Sequence, residues 1–134
     1  STLNLKIQVS DGTSTYQEAF TVYVNDVNDN ASTDLAVSTS TFAESVTSGT
    51  AVASITTTDP DSSAVNSFTY SLISGNGTND GDNSSFTISG PSLVTSGTFN
   101  YETKSLLKVY LQVNDGVASY AQALWYQMLR SYQI

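Results

Sequence analysis

Asn25, Asp26, Asn28, Asp29 and Asn30 put five oxygen-bearing side chains into the six residues NDVNDN, just where an alternating strand pattern ends. Carboxylates and amides in such a run are ligands for hard cations. Calcium takes roughly six to eight oxygens, drawn from carboxylates, amide side chains and backbone carbonyls. One short segment cannot supply that number, so other parts of the chain must contribute. The sequence offers them at expected strand ends: Asp59 and Asp61 on either side of Pro60, Asn66 beyond them, and Asp115 before Gly116. Alternate strand ends of a β-sandwich lie at one pole, where these groups could meet the 26–30 run. The same residues also suit plainer roles, as an Asx-type turn at 59–61, an Asp-Gly turn at 115–116 and an acidic tether at 26–30.

Other chemistries find little support. The chain has no histidine and no cysteine, which removes the commonest general base, disulfides, zinc clusters and thiol nucleophiles. Glu18, Glu44 and Glu102 fall on expected polar surface or turns, whereas a glycosidase acid needs an apolar pocket. No enzyme is expected. Twelve acidic residues against four basic give a net charge of −8, which argues against nucleic acid and anionic membrane surfaces as partners. No apolar run is long enough to insert in a membrane. No charged start precedes an apolar core, so the sequence reads as an internal stretch if its parent is secreted.

The elements that would position these oxygens are strands. Leu3, Leu5, Ile7 and Val9 alternate with polar neighbours, SDGTS turns the chain, and Phe20, Val22 and Val24 alternate again: a hairpin. Shifted by 104 residues the pattern returns, with Leu3/Leu107, Gln8/Gln112, Val9/Val113, Asp11/Asp115, Gly12/Gly116, Tyr16/Tyr120 and Ala19/Ala123 identical. A period of that length is a whole sandwich, not a solenoid unit. Strands are expected near 34–42, 50–58, 66–73, 85–89, 92–98, 105–114 and 119–128, separated by Gly-, Pro- and Asp-rich breaks. The fold class is therefore all-β: a seven-stranded Greek-key sandwich preceded by an orphan hairpin. Within SGNGTNDGDNSS (74–85), Asn76, Thr78, Asp80 and Gly81 match the start of an EF-hand loop. Thr87 stands where its closing glutamate belongs, so the segment reads as a flexible loop.

NDVNDN, FAESVTSGTAV (42–52), TTDPDSS (57–63), FNYETKS (99–105) and VNDG (113–116) follow one another in the order and approximate spacing of a cadherin repeat. The sequence resembles a bacterial-type cadherin domain over nearly all of 26–120. Residues 1–25 resemble the tail of a preceding copy. The resemblance implies four segments: the hairpin of a preceding repeat (1–25), a calcium-binding linker (26–30), a complete repeat (31–129) and an atypical tail (130–134). It implies a Ca2+ site at the linker built from Asn28, Asn30, Asp59, Asp61, Asn66 and Asp115, with Asp26 and Asp29 bridging to neighbouring ions. Glu44 and Glu102 match ligands of a further linker at the opposite pole, where Asn100 replaces the usual aspartate and Arg130 stands where Asp26 stood. That far pole is expected to hold no ion.

Such a module implies an extracellular or cell-surface setting, with neighbouring repeats as partners and a calcium-stiffened array or calcium-dependent adhesion as its job. The uncovered hairpin could also support a homodimer through strand exchange. A second class of function is polysaccharide binding: Trp125, on the outward face of the last strand, beside Tyr126 and Tyr132, could form an aromatic platform for sugar rings.

Overall fold

The computed structural model describes residues 1–131; Tyr132, Gln133 and Ile134 lie outside that range. Two strands open the chain, β1 (Thr2–Ser10) and β2 (Thr15–Tyr23), followed by β3 (Asp34–Val37), β4 (Thr41–Ala43), β5 (Ala51–Thr58), β6 (Thr69–Leu72), β7 (Phe86–Ser89), β8 (Ser92–Thr95), β9 (Leu106–Asn114) and β10 (Ser119–Leu129). β1 and β2 form a sheet of their own. The rest make a two-layer sandwich, with β4-β10-β9-β6 facing β3-β5-β8-β7.

Period-two alternation drives the pairing of the layers. In β9, Leu107, Val109, Leu111 and Val113 are buried while the residues between them point outward. Gly116, at φ 102°, closes the tight turn into β10, a conformation that favours glycine. The interior has two parts. Leu35, Ile55, Leu111 and Val113 pack at one end. Phe42, Ala53, Phe86, Leu93, Leu107, Val109, Tyr126 and Met128 fill the remainder. Phe42 meets Phe86 edge-on with ring centroids 6.0 Å apart, and Phe99 edge-on at 4.9 Å.

The strand expected over 34–42 divides in two. β3 pairs antiparallel with β5 and β4 pairs parallel with β10, so the chain changes sheets at Ser38–Ser40. The crossing leaves the main chain satisfied: Ser38 N–H donates to Ser54 O and Gln127 N–H to Ser40 O, each at 2.8 Å. The 74–85 loop, expected to be flexible, is stitched down. The Asp80 carboxylate accepts from the N–H groups of Gly75 (2.7 Å) and Gly77 (2.8 Å). Asp82 takes the Lys104 ammonium and the Lys108 N–H, and Asn83 bridges Ile73 O to Tyr110 N–H. Both Asp80 oxygens are thus engaged within the loop.

One polar atom sits badly in the core. Among the described residues the Tyr126 hydroxyl is buried without a hydrogen-bond partner, and burial pushes the phenol up to about 12. A stranded donor costs more than it returns. Tyr126→Phe should therefore leave the protein as stable or raise its stability by about 1 kcal/mol, read as an unchanged or higher midpoint in urea.

Candidate metal centre at the linker pole

The buried end formed by Leu35, Ile55, Leu111 and Val113 fixes the strand ends that carry the oxygens. Asp115 follows β9 directly. Its Oδ1 accepts the N–H groups of Val117 (2.8 Å) and Ala118 (2.7 Å), closing the turn expected there. Asp59 follows β5, and its Oδ1 accepts the Asp61 N–H at 2.9 Å, so the Asx turn at Pro60 is real. Its Oδ2 accepts the Ser32 hydroxyl at 2.9 Å. The turn aims the second aspartate.

That second aspartate gathers the linker. Asp61 Oδ2 accepts the N–H groups of Asp29 (3.0 Å) and Asn30 (2.8 Å), and Oδ1 accepts the Asn30 side-chain amide. Asn28 donates to Asp115 O at 2.7 Å, and Asp26 Oδ2 accepts the Ser62 N–H at 2.7 Å. Asn66 Nδ2 lies 3.4 Å from Asp61 O. Asp29 Oδ1 accepts from Asn30 Nδ2. All eight residues expected at the linker site therefore meet at one pole, though they span residues 26 to 115.

Among the described residues, three oxygens in this cluster lack a well-formed hydrogen bond: Asn28 Oδ1, Asn66 Oδ1 and Asp115 Oδ2 are buried, and the Ser32 N–H acts on the Asp115 carboxyl only as a minor influence. The Asn28 amide cannot be turned to relieve this, because its nitrogen faces Asp115 O at 2.7 Å and reversal would set oxygen against oxygen; the Asn66 amide is oriented the same way by the longer contact to Asp61 O. Unpartnered buried acceptors are rare and costly. A set of unsatisfied oxygens, with no nitrogen or sulfur donor among them, fits a hard cation. Among the described residues no three acidic side chains form a metal cage by themselves, so amide and main-chain oxygens must complete any such shell. The negative charge is also uncompensated. The ion pairs among the described residues, Lys104–Asp82 and Arg130–Glu102, involve none of these groups.

Hydrogen bonds hold two of these carboxyls below the usual aspartate value. For Asp61 the main cause is the Asn30 side chain, then the Asn30 N–H. For Asp115 it is the Ala118 N–H, then that of Val117. A carboxyl depressed in the folded state contributes its full stability above the unfolded pKa and loses it as pH falls through the folded one. With an ordinary value of 3.8, that contribution is intact at neutral pH and fails in acid. The thermal midpoint should be flat between about pH 7 and 5 and drop below about pH 4, as a calorimetric pH series would show.

The opposite end of β10 is arranged differently. Glu44 accepts the N–H groups of Tyr101 and Ser131, each at 2.8 Å, and Asn100 Oδ1 accepts the Thr103 N–H at 3.0 Å. Arg130 pairs with Glu102 at 2.8 Å. These oxygens are supplied with donors from within the chain. The expected sugar platform needs correction. Neighbouring residues on a strand point to opposite faces, and Tyr126 is fully buried while Trp125 is 52% exposed. Lys108 Nζ stands 4.2 Å from the Trp125 ring centroid, so an ammonium already occupies one face of that ring. Tyr132, the third expected member, is outside the described residues.

Sequence reasoning missed Ser32 and Ser62. Ser32 is buried beneath Asp59, and Ser62 anchors Asp26 through its main chain. In a chain this rich in serine, neither carried a distinguishing signal.

The structure places the protein among cadherin-like sandwiches. No family model matches the chain, and no curated protein matches it. Solved structures do. Protocadherin Gamma B7 extracellular cadherin domains 1–4 superpose with a TM-score of 0.70 at 21% identity, over 98% of this chain and 32% of that one. Mouse clustered PcdhgC3 EC1-3 gives 0.68 at 23% identity, over 98% of this chain and 44% of that one. Human Protocadherin-24 EC1-2 gives 0.62 at 22% identity, covering 99% and 67%. The chain thus spans about a third of the first of these, and the shared property is the fold: that of a cadherin extracellular repeat.

Proposed function

We propose that this chain is a calcium-binding, non-enzymatic cadherin-like repeat of an extracellular or cell-surface protein, in which the linker pole sets the stiffness of a joint within a repeat array. The observation that carries this reading is the trio of buried oxygens on Asn28, Asn66 and Asp115 that no well-formed hydrogen bond satisfies. Those three, with carboxylate oxygens of Asp59 and Asp61, would hold the ion; Asp26, Asp29 and Asn30 would complete or extend its shell. A bound calcium ion supplies positive charge and accepts oxygen lone pairs from several directions at once.

The chain's own residues perform the mechanical work. Asp61 clamps the main chain at Asp29 and Asn30, Asn28 ties the linker to the β9–β10 turn, and Asp26 reaches Ser62. Opposing these ties, Asp26, Asp29, Asp59, Asp61 and Asp115 crowd like charge at one pole. Neutralising that repulsion fixes the 26–30 segment; leaving it lets the segment and its hairpin swing. Extracellular calcium modules bind with Kd of ~10⁻⁴–10⁻³ M, and occupancy at ten times Kd stabilises by only ~1.4 kcal/mol. Against a domain stability of ~5–15 kcal/mol, calcium governs the joint more than the folding of the sandwich. The fold of the solved relatives also supports neighbouring repeats and copies of the same protein as partners, with adhesion as the larger task.

Calorimetric titration with calcium, joined to small-angle scattering on the same samples, tests the reading. One binding phase near millimolar calcium and a narrower range of shapes are expected. Absence of heat up to tens of Kd in that range would sink it. Light scattering separates the two mechanical roles: mass doubling with calcium marks adhesion between copies, whereas constant mass marks a spacer.

A further inference from the structure

Asn76–Gly77 is the one Asn-Gly step in the chain, and the tip of the 74–85 loop is wound around it. Asn76 Oδ1 accepts the N–H groups of Thr78 (2.9 Å) and Asn79 (3.1 Å). Two donors facing this atom identify it as the oxygen of the amide. The Gly77 N–H donates instead to Asp80 Oδ1 at 2.8 Å, while Asp80 Oδ2 is held by the Gly75 N–H at 2.7 Å. Asn76 N–H closes the turn on Asn79 Oδ1 at 3.0 Å. Gly77 sits at φ 80°, a conformation that favours glycine. The turn thus calls at position 77 for the residue that shields its main-chain nitrogen least.

The side-chain carbonyl carbon of an asparagine and the next main-chain nitrogen are the two ends of a five-membered ring. Attack of Gly77 N on Asn76 Cγ develops negative charge on Oδ1. Donors already aimed at such an oxygen stabilise that charge without reorganising. The attacking nitrogen must also lose its proton, and a carboxylate at hydrogen-bond distance is placed to take it. Hydrogen bonding, chiefly from the Gly75 N–H, holds the Asp80 carboxyl below the usual aspartate value, so it is ionised at neutral pH. No other asparagine combines these features. Each is followed by a residue that carries a Cβ, and Asn83, in the same loop, has both ends of its amide committed to Ile73 O and the Tyr110 N–H.

We propose that the 75–80 turn is a self-modification site, in which Asn76 loses ammonia through a cyclic imide formed with Gly77 and Asp80 serves as the base. The bond from Gly77 N to Asn76 Cγ forms as the nitrogen's proton passes to Asp80 Oδ1. The Cγ–Nδ2 bond then breaks, Nδ2 takes that proton, and ammonia departs into the water around an exposed side chain. Water reopens the ring at either carbonyl. Cleaving the new bond leaves aspartate at 76; cleaving the original peptide bond leaves an isoaspartyl link, with the chain running through the side chain. Aspartate keeps the acceptor that Thr78 and Asn79 require. The isoaspartyl link lengthens the main chain by one carbon inside the turn and draws Gly77 away from Asp80. Asp82 and Asn83 still tie the far side of the loop to β9, so the tip opens while the sandwich and the linker pole stay intact. None of this depends on the cation reading.

The test follows the full chain at neutral pH, folded and in guanidinium, by peptide mass spectrometry and by enzymatic methylation of isoaspartate. Positioned acid–base groups contribute on the order of 10²–10⁴-fold in enzymes. At an exposed turn the gain is smaller, and the folded chain should convert Asn76 roughly tenfold faster than the unfolded chain. Aspartate and isoaspartate should both appear at 76, and at no other asparagine over the same interval. Asp80→Ala removes the base and should lower the folded rate to the unfolded one. Gly75→Ala keeps every reacting group but drives a Cβ into the Asn79 side chain, and should slow the reaction likewise. Thr78→Ala, which retains the donating N–H, should react as the parent does. A folded rate equal to or below the unfolded rate overturns the proposal, and so does Asp80→Ala or Gly75→Ala reacting as fast as the parent.

Discussion

Asp61→Ala should cost this protein its calcium affinity and the order of its linker together. Loss of outer-shell partners alone weakens metal sites on the order of 10–100-fold; removal of a carboxylate at the centre of the cluster should cost at least as much. The same substitution strips the acceptor from the N–H groups of Asp29 and Asn30 and from the Asn30 amide. The linker should therefore swing more widely even without calcium, seen as a broader distance distribution in scattering. Asp80→Ala is the matched control. That carboxylate is bonded only to its own loop, at Gly75 and Gly77, and its loss should leave the calcium titration where it was. Equal loss in both variants would mean that bulk charge, not the linker pole, binds the ion.

Phe86→Ala should give the largest loss of stability. Phe86 is 3% exposed and packs against Phe42, Phe99 and Tyr126 at centroid distances of 6.0, 5.7 and 6.0 Å. Truncating a buried phenylalanine costs about 3–5 kcal/mol in transfer and cavity terms together, a large share of a typical domain's ~5–15 kcal/mol. The melting midpoint should fall on the order of 15–30 °C. The metal centre rests on the other interior group, around Leu35, Ile55, Leu111 and Val113. Below its own midpoint the variant should consequently bind calcium as the parent does. A fall of only a few degrees would mean that the cavity collapses and that this aromatic cluster is not the keystone of the sandwich.

Much of this architecture was legible before any coordinate. Strand alternation in Leu107–Val113, the Asp-Gly turns and the 104-residue echo are local patterns, set by which way successive side chains point from an extended backbone. The expected strands over 50–58, 105–114 and 119–128 correspond to β5, β9 and β10 within a residue or so at most ends. The oxygen-bearing residues were also marked by type and place, because strand ends of a sandwich necessarily gather at its poles. The split of the first strand was not legible, since Ser38–Ser40 has no breaker and the change of sheet depends on what lies at each edge.

By itself, then, the sequence determined the strand pattern, the doubled hairpin and the list of residues able to offer oxygen. Only tertiary structure decided how those residues are used. Asn28 meets Asp115 across 87 positions and Asp61 meets Asn30 across 31, and such closures carry no local signature. They alone determine which amide face turns inward, which oxygens are left without a donor, and that Tyr126 goes into the core while Trp125 stays in water. The physical reason is that hydrogen-bond satisfaction is a property of a whole enclosure. An oxygen becomes available to a cation when every nearby donor is already committed elsewhere, and that condition exists only once the chain has folded around it.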